Sequence, residues 1–263
     1  MVNTSGKYLF LCLVLFLLAS GARSQSASDA RATMQPEAEQ ILALANQARA
    51  AAGAAPLKWD GALAIAARKH TLRMAAEGPI SHRYPGELDL SERAGQAGAH
   101  FSVIEENVAI GPTPAEIHNE WMHSPGHRTN LLNPEVDRVG IAIVASRGVL
   151  YATADYGRGV QDLSASQIEA RVAALIRPSG LTIVANPAIA REACAMVSGM
   201  PRTADGSMPG FLMRWQDSDL TNLPRNLVQR LESRQYHQAA IGSCNPTGVG
   251  GTFTAYRVAV LLY

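Results

Sequence analysis

Past a polar, Ala/Ser-rich stretch that ends near Gln35, apolar residues recur at Ile41, Leu42, Ala45, Ala48 and Ala52, the spacing of one helical face. The run "AAGAAPLKWD" interrupts that face, and Asp60 then stands as an N-cap ahead of Leu63, Ala66, Ala67, His70 and Met74, a second apolar face that ends near Gly78. "TPAEIHNEW" predicts a third helix, with Thr113 as cap, Pro114 in the first turn and Glu116 closing a capping box. Between the second and third helices, Val108 and Ile110 of "EENVAIG" alternate as in a short strand. "RVGIAIVA" and "VLYATADYG" flank Ser146-Arg147-Gly148, and the alternation of Val139, Ile141 and Ile143 makes them a hairpin. Helices followed by strands in this order predict an α+β or three-layer domain.

The pattern restarts after Asp162. Ser166 and Glu169 read as a capping box ahead of Ile168, Val172, Leu175 and Ile176, and Asn186-Pro187 opens a helix that carries Cys194. A further helix runs near Leu223 to Leu231. "AAIGSC" and "TFTAYRVAVLLY" form a closing hairpin around the Gly-rich "NPTGVGG". The halves share an order of helices and then a hairpin, without a residue-level repeat.

Composition narrows the function classes. With 47% of 263 residues apolar, the chain can build a proper core. The 23 basic and 22 acidic residues nearly cancel and form no Lys/Arg block, which excludes a phosphate-gripping nucleic-acid surface and favours small or neutral partners. The opening "MVNTSGKYLFLCLVLFLLASGARSQS" has an apolar run from Tyr8 to Leu18 followed by small residues. That run is short of the ~20 residues that span a bilayer, so it reads as a cleaved signal peptide, with no transmembrane segment in the mature chain. The expected location is secreted or periplasmic. Cleavage removes Cys12, and the remaining Cys194 and Cys244 are expected to form a disulfide in an oxidising compartment.

The candidate chemistry gathers around "WMHSPGHRTNLL". Ser124-Pro125-Gly126 breaks the third helix; Ser124 is placed to cap a new short helix with Pro125 at its first position, so that His127 falls in its first turn. His70 lies on an apolar helix face and reads as a hydrogen-bonded packing residue. His118 and His123 read as surface residues, because the Ser124-Pro125 break removes regular helical spacing to His127. Neither a G-x-S-x-G nor a zincin motif is present, and no catalytic residue is assigned.

Quoted in order, "LALANQARAAAGAAPLKWDGALAIAARKHTLRMAAEG", "ISH", "EENVAIG", "EIHNEWMHSPGHRTNLL" and "RVGIAIV…LYATADYG" resemble the bacterial branch of the CAP superfamily, the cysteine-rich secretory, antigen 5 and pathogenesis-related proteins, also called SCP domains. The resemblance spans Pro36 to Gly157. It implies a three-layer α-β-α sandwich with a cavity in which two histidines and two acids hold a divalent cation such as zinc. Carried onto this chain, those residues are His82, Glu106 and His127. Two imidazoles and a carboxylate are a donor set that zinc accepts, with a position left open for water. The family's second acid is replaced by Ser124, and Glu120, one turn earlier on the same helical face, is the residue that can lean in for it.

The expected organisation is a signal peptide over 1–24, a linker over 25–35, a CAP/SCP-like domain over 36–158, and a smaller C-terminal α+β region of unknown type over 162–263. The implied function is binding of a small-molecule or lipid-like ligand. The alternatives are a metal-assisted hydrolase of peptides or cell-envelope polymers with Glu106 as general base, and an extracellular module that docks a protein or envelope component and keeps a vestigial cavity.

Overall fold

A computed structural model describes residues 34–201, 208–246 and 253–263. The stretches expected to be a signal peptide and most of the linker, with part of the Gly-rich run, lie outside the described residues.

Helix α1 (Pro36–Ala51) is followed by the two-residue strand β1 (Lys58–Trp59) and helix α2 (Gly61–Glu77). Asp60 caps α2 as its sequence predicts, accepting from the amides of Ala62 and Leu63, and Gly78 ends it at φ 101°, a conformation that suits a residue without Cβ. A short helix α3 (Leu90–Gln96) follows, in a stretch whose sequence reads as loop; a capping box between Asp89 and Glu92 holds it. Strand β2 (Phe101–Gly111) is longer than the expected segment around Val108, because its polar first half also pairs along the sheet. Helices α4 (Pro114–His123) and α5 (Pro125–Leu132) meet at Ser124. The hairpin β3 (Arg138–Ser146) and β4 (Val149–Gly159) turns through Arg147 and Gly148, both at positive φ, as a tight two-residue connection needs.

The sheet order is β1-β3-β4-β2, with β1 parallel to β3 and the other pairs antiparallel, so β2 is an edge strand. Alternation along the strands sends Val139, Ile141 and Ile143 of β3, with Ala152, Ala154 and Tyr156 of β4, toward Ile41 and Ala45 of α1, Ile117 and Trp121 of α4, and Leu131 of α5. The opposite face takes α2, which comes so close at Gly140 that a Cβ there would overlap the backbone of Leu63 and Ala64. Helices on both faces of one sheet make the expected α-β-α sandwich.

Residues beyond Gly159 build the same plan again. Helix α6 (Ala165–Ile176), strand β5 (Thr182–Ile183), helix α7 (Ala188–Ala195), strand β6 (Phe211–Asp217), helix α8 (Arg225–Glu232) and the hairpin strands β7 (Gln238–Cys244) and β8 (Tyr256–Leu262) give a second four-stranded sheet of order β5-β7-β8-β6. Again the two-residue strand is parallel to the third and the other pairs are antiparallel. Asn186 Oδ1 accepts from the amide of Ala188 at the head of α7, as Asp60 does from Ala62 at the head of α2. Gly242 lies against the backbone of Ala190 and Arg191 in α7, as Gly140 lies against α2. The C-terminal region is thus a second, reduced layer sandwich, with α6 and α8 on one face and α7 on the other.

Two local details differ from the sequence reading. The capping box of α6 is Ser164 with Gln167, two residues before the expected pair, and Glu169 instead bonds Arg191 and the amide of Ser243. Strand β6 has no counterpart in the predicted elements. The disulfide Cys194–Cys244 is present and joins α7 to β7. The described residues pack as one unit, with the Phe101 carbonyl accepting from the Thr254 amide at 2.8 Å and the rings of Phe101 and Phe253 5.3 Å apart.

Candidate functional site

His82 sits in the loop that leaves α2, and that loop is built around His70. The ring of His70 is fully buried, with Nδ1 2.8 Å from Glu87 Oε1 and Nε2 2.8 Å from the carbonyl of Ser81. The second oxygen of Glu87 accepts from the amide of Tyr84, and the Tyr84 hydroxyl donates to the carbonyl of Pro79. Burial pushes the Glu87 carboxyl up, yet its bonds with His70 and Tyr84 hold it below the usual carboxylate range. His70 is therefore the packing residue its position on α2 predicts, and it also fixes the backbone next to His82.

The side chain of His82 is 58% exposed, and its Nδ1 lies 2.8 Å from Oε1 of Glu106 on β2. A carboxylate accepts, so the proton sits on Nδ1 and Nε2 is left facing outward. This hydrogen bond raises the basicity of His82 above the usual imidazole range. Glu106 is only 3% exposed, and its other oxygen is paired with Nη2 of Arg93, whose side chain is 1% exposed. Nη1 of the same arginine donates to the carbonyls of His82 and Leu88, tying the loop to α3. Behind Glu106, its register partner Asp155 on β4 is fully buried, and neither of its oxygens meets a hydrogen-bond partner among the described residues. Burial first, and the nearby Glu106 second, push its carboxyl well above the usual range.

His127 reaches the same rim from the other face. Successive residues of a strand point to opposite faces, so Glu106 turns toward α3 while Asn107 turns toward α5. Asn107 Nδ2 donates to the carbonyl of His127 at 2.9 Å, and Asn130 Nδ2 donates to Asn107 Oδ1 and to the carbonyl of Glu106. Arg49 fixes the far end of α5 by donating to the carbonyls of Ala55, Leu131, Asn133 and Val136. The half-buried ring of His127 makes no hydrogen bond among the described residues. Burial, and then the charge of His82, lower its basicity.

Residues 42–156 match the family model described as CAP, the cysteine-rich secretory protein family. This part of the chain belongs to the CAP family. The chain is 27% identical over 132 residues to the uncharacterized protein YkwD of Bacillus subtilis (strain 168), a match covering 50% of this chain and 51% of that protein. It is 32% identical over 109 residues to the uncharacterized membrane protein YlbC of the same organism, covering 40% and 31%. The chain thus spans about half the length of one curated relative and about a third of the other. Among solved structures, an extracellular protein containing a SCP domain from Bacillus anthracis str. Ames is 27% identical with a TM-score of 0.43, covering 46% of this chain and 39% of that one. An outer surface protein from Borrelia burgdorferi is 18% identical with a TM-score of 0.45, covering 48% and 96%.

The CAP domain brings His82 and Glu106 into contact and holds the backbone of His127 beside Asn107, the residue next to Glu106 on β2. Among the described residues, no three His, Cys, Asp or Glu side chains are placed to hold a metal ion. Each oxygen of Glu106 already accepts one bond, Oε1 from His82 and Oε2 from Arg93. Glu120 is exposed on α4, and Ser124 occupies the N-cap of α5 without a side-chain capping bond, so Pro125 alone sets that corner. His123 is exposed, as expected, whereas His118 is half-buried with a buried, unpartnered Nε2.

Sequence reasoning missed Arg93 and Asp155. The signal for Asp155 was available: an acid amid apolar residues in the inner strand of "YATADYG" has to be buried. Arg93 carried no comparable mark, because only the fold brings "LSERAG" under Glu106. Among the described residues the second sheet has no such centre. Aligning the parallel bridges, Val139 with Ala239, places Leu212, Met213 and Leu261 where Glu106, Asn107 and Asp155 stand.

Proposed function

We propose that the CAP domain binds a small polar ligand at the rim of His82, Glu106 and His127, in a protein exported to an oxidising compartment. The observation that carries this reading is an exposed imidazole whose Nδ1 is anchored on a buried carboxylate, with an unbonded second imidazole opposite. Such groups are held in place before any ligand arrives, which lowers the ordering cost of binding. A polar ligand fits better than a lipid tail, because the side chains at the rim are hydrogen-bonding groups. Export is supported by the disulfide and by the leader-like start of the sequence. Among the described residues no helix is long and apolar enough to cross a membrane.

Native mass spectrometry of the exported chain, for co-purifying small molecules, tests the reading together with the imidazole NMR signals of His82 and His127. A polar adduct lost in His82→Ala and His127→Ala is expected. A lipid adduct retained in both variants would move binding elsewhere, and an empty chain with inert imidazoles would favour an extracellular docking module. The same His82–Glu106 pair supports one second reading, hydrolysis with His82 as general base; Glu106, bonded at both oxygens, would orient the ring rather than take the proton. Turnover of p-nitrophenyl acetate that disappears in His82→Ala would select it.

A further inference from the structure

We propose that Arg93 is the resident cation of this site, and that the His82/Glu106/His127 cluster works without a divalent metal. Three observations carry this. The guanidinium is buried inside the cluster, not at its edge: its side chain is 1% exposed, and its Nη2 bonds the Glu106 oxygen that His82 leaves free. Its Nη1 bonds the backbone of the loop that carries His82, so one group both neutralises the carboxylate and sets the position of the imidazole. The other donors at the rim are two imidazoles, Asp155 lies fully buried behind Glu106, and among the described residues no three His, Cys, Asp or Glu side chains are placed to hold a metal ion.

The charge balance points the same way. Neutral imidazoles ligate a divalent ion without offsetting its charge, so that offset falls to a carboxylate, and the one at the rim is already paired with Arg93. An incoming dication would face a permanent positive charge that cannot be shed, because arginine stays protonated in proteins. A guanidinium also differs from a metal in that it does not exchange, so the rim keeps its shape where chelators or competing metals are present. The outward Nε2 of His82 and the ring of His127 then remain free for a ligand.

The proposal concerns the same rim as the ligand-binding reading, but zinc binding tests it separately. Zinc chloride is titrated calorimetrically into the full exported chain after chelator treatment, with elemental analysis of the dialysed complex. Parent protein is expected to bind zinc no more tightly than the His82→Ala/His127→Ala double variant. Arg93→Met, which removes the charge, is expected to bind at least tenfold more tightly, a gain cancelled by adding His127→Ala. Arg93→Gln keeps a donor for Glu106 without the charge, and it carries the same expectation if Arg93→Met does not fold by near-ultraviolet circular dichroism. One zinc per parent chain, lost in His127→Ala, would overturn the proposal whatever the variants do, and so would folded Arg93 variants with no gain. Failure of the ligand reading would show instead as absent adducts and unmoved imidazole signals, with the zinc results unchanged.

Discussion

Gly140→Ala tests how tightly α2 is seated on the sheet. A Cβ at Gly140 would overlap the backbone of Leu63 and Ala64 and stand 2.6 Å from Leu63 Cβ, about 1 Å short of a relaxed carbon–carbon contact. The obstructing atoms are helix backbone, which has no rotamer to change, so α2 itself must lift. Overpacking of this kind costs about 1–3 kcal/mol, and a rigid obstacle puts it at about 3, which for a chain of this size lowers Tm by roughly 6–12 °C. Lifting α2 also displaces His70, and with it the Ser81 carbonyl and Glu87 that fix the loop of His82. The His82 imidazole signal should therefore shift together with stability. Gly126→Ala is the control: nothing lies within 4 Å of its added Cβ, and a helical alanine should be neutral or slightly stabilising. Gly242→Ala, which meets the backbone of α7 two residues beyond the register equivalent of Gly140, should destabilise similarly without moving the His82 signal. Urea unfolding of the three variants is the assay. A Gly140→Ala protein within about 0.5 kcal/mol of parent would show that α2 has slack the structure does not allow.

Reduction of Cys194–Cys244, or Cys194→Ser with Cys244→Ser, opens a loop closed over a sequence separation of 50 and should cost about 4 kcal/mol in the chain-entropy account, read as a lower urea midpoint. Arg49→Met leaves the carbonyls of Ala55, Leu131, Asn133 and Val136 without their donor and should cost on the order of 3 kcal/mol; a midpoint equal to parent would deny that Arg49 holds α5. Burial lowers the basicity of His118, so the fold binds fewer protons there than the unfolded chain does. The stabilisation is whole above about 6.5 and declines as pH falls through the lowered folded value, and His118→Phe should flatten the profile of Tm against pH over that window.

What was legible in the sequence was local. Asp60 and Thr113 cap amides within a few residues of themselves, and Gly78 and Pro125 end or start a helix through their own backbone, so their reading needs no fold. The alternation of Val139, Ile141 and Ile143 also survives intact, because one face of β3 meets one layer of helices. Ser166 and Ser164 precede the same apolar run, so either can be read as the cap of α6; Glu169 settles the choice, because the tertiary structure recruits it to Arg191 and the Ser243 amide. The site shows the same division. His82, Glu106 and His127 came from motif resemblance, but the groups that decide their chemistry, Arg93 and Asp155, act through contacts between α3, β2 and β4 that no spacing along the chain encodes. The repeated sheet order was hidden for a related reason: with Leu212 and Leu261 in place of Glu106 and Asp155, the two halves keep connectivity while sharing few residue types.

The strand order β1-β3-β4-β2, repeated as β5-β7-β8-β6, carries a consequence for the order of events as the chain is made. In each half the outer strands come first in the sequence and the inner hairpin last. A chain emerging from its N-terminus therefore presents β1 and β2 before either has a partner, and they wait about 30 to 80 residues for β3 and β4, which pair with each other through a two-residue turn in microseconds. Assembly runs inward to outward while synthesis runs outward to inward. Neither sheet can be completed until its inner hairpin is present, because each outer strand pairs only with a strand of that hairpin.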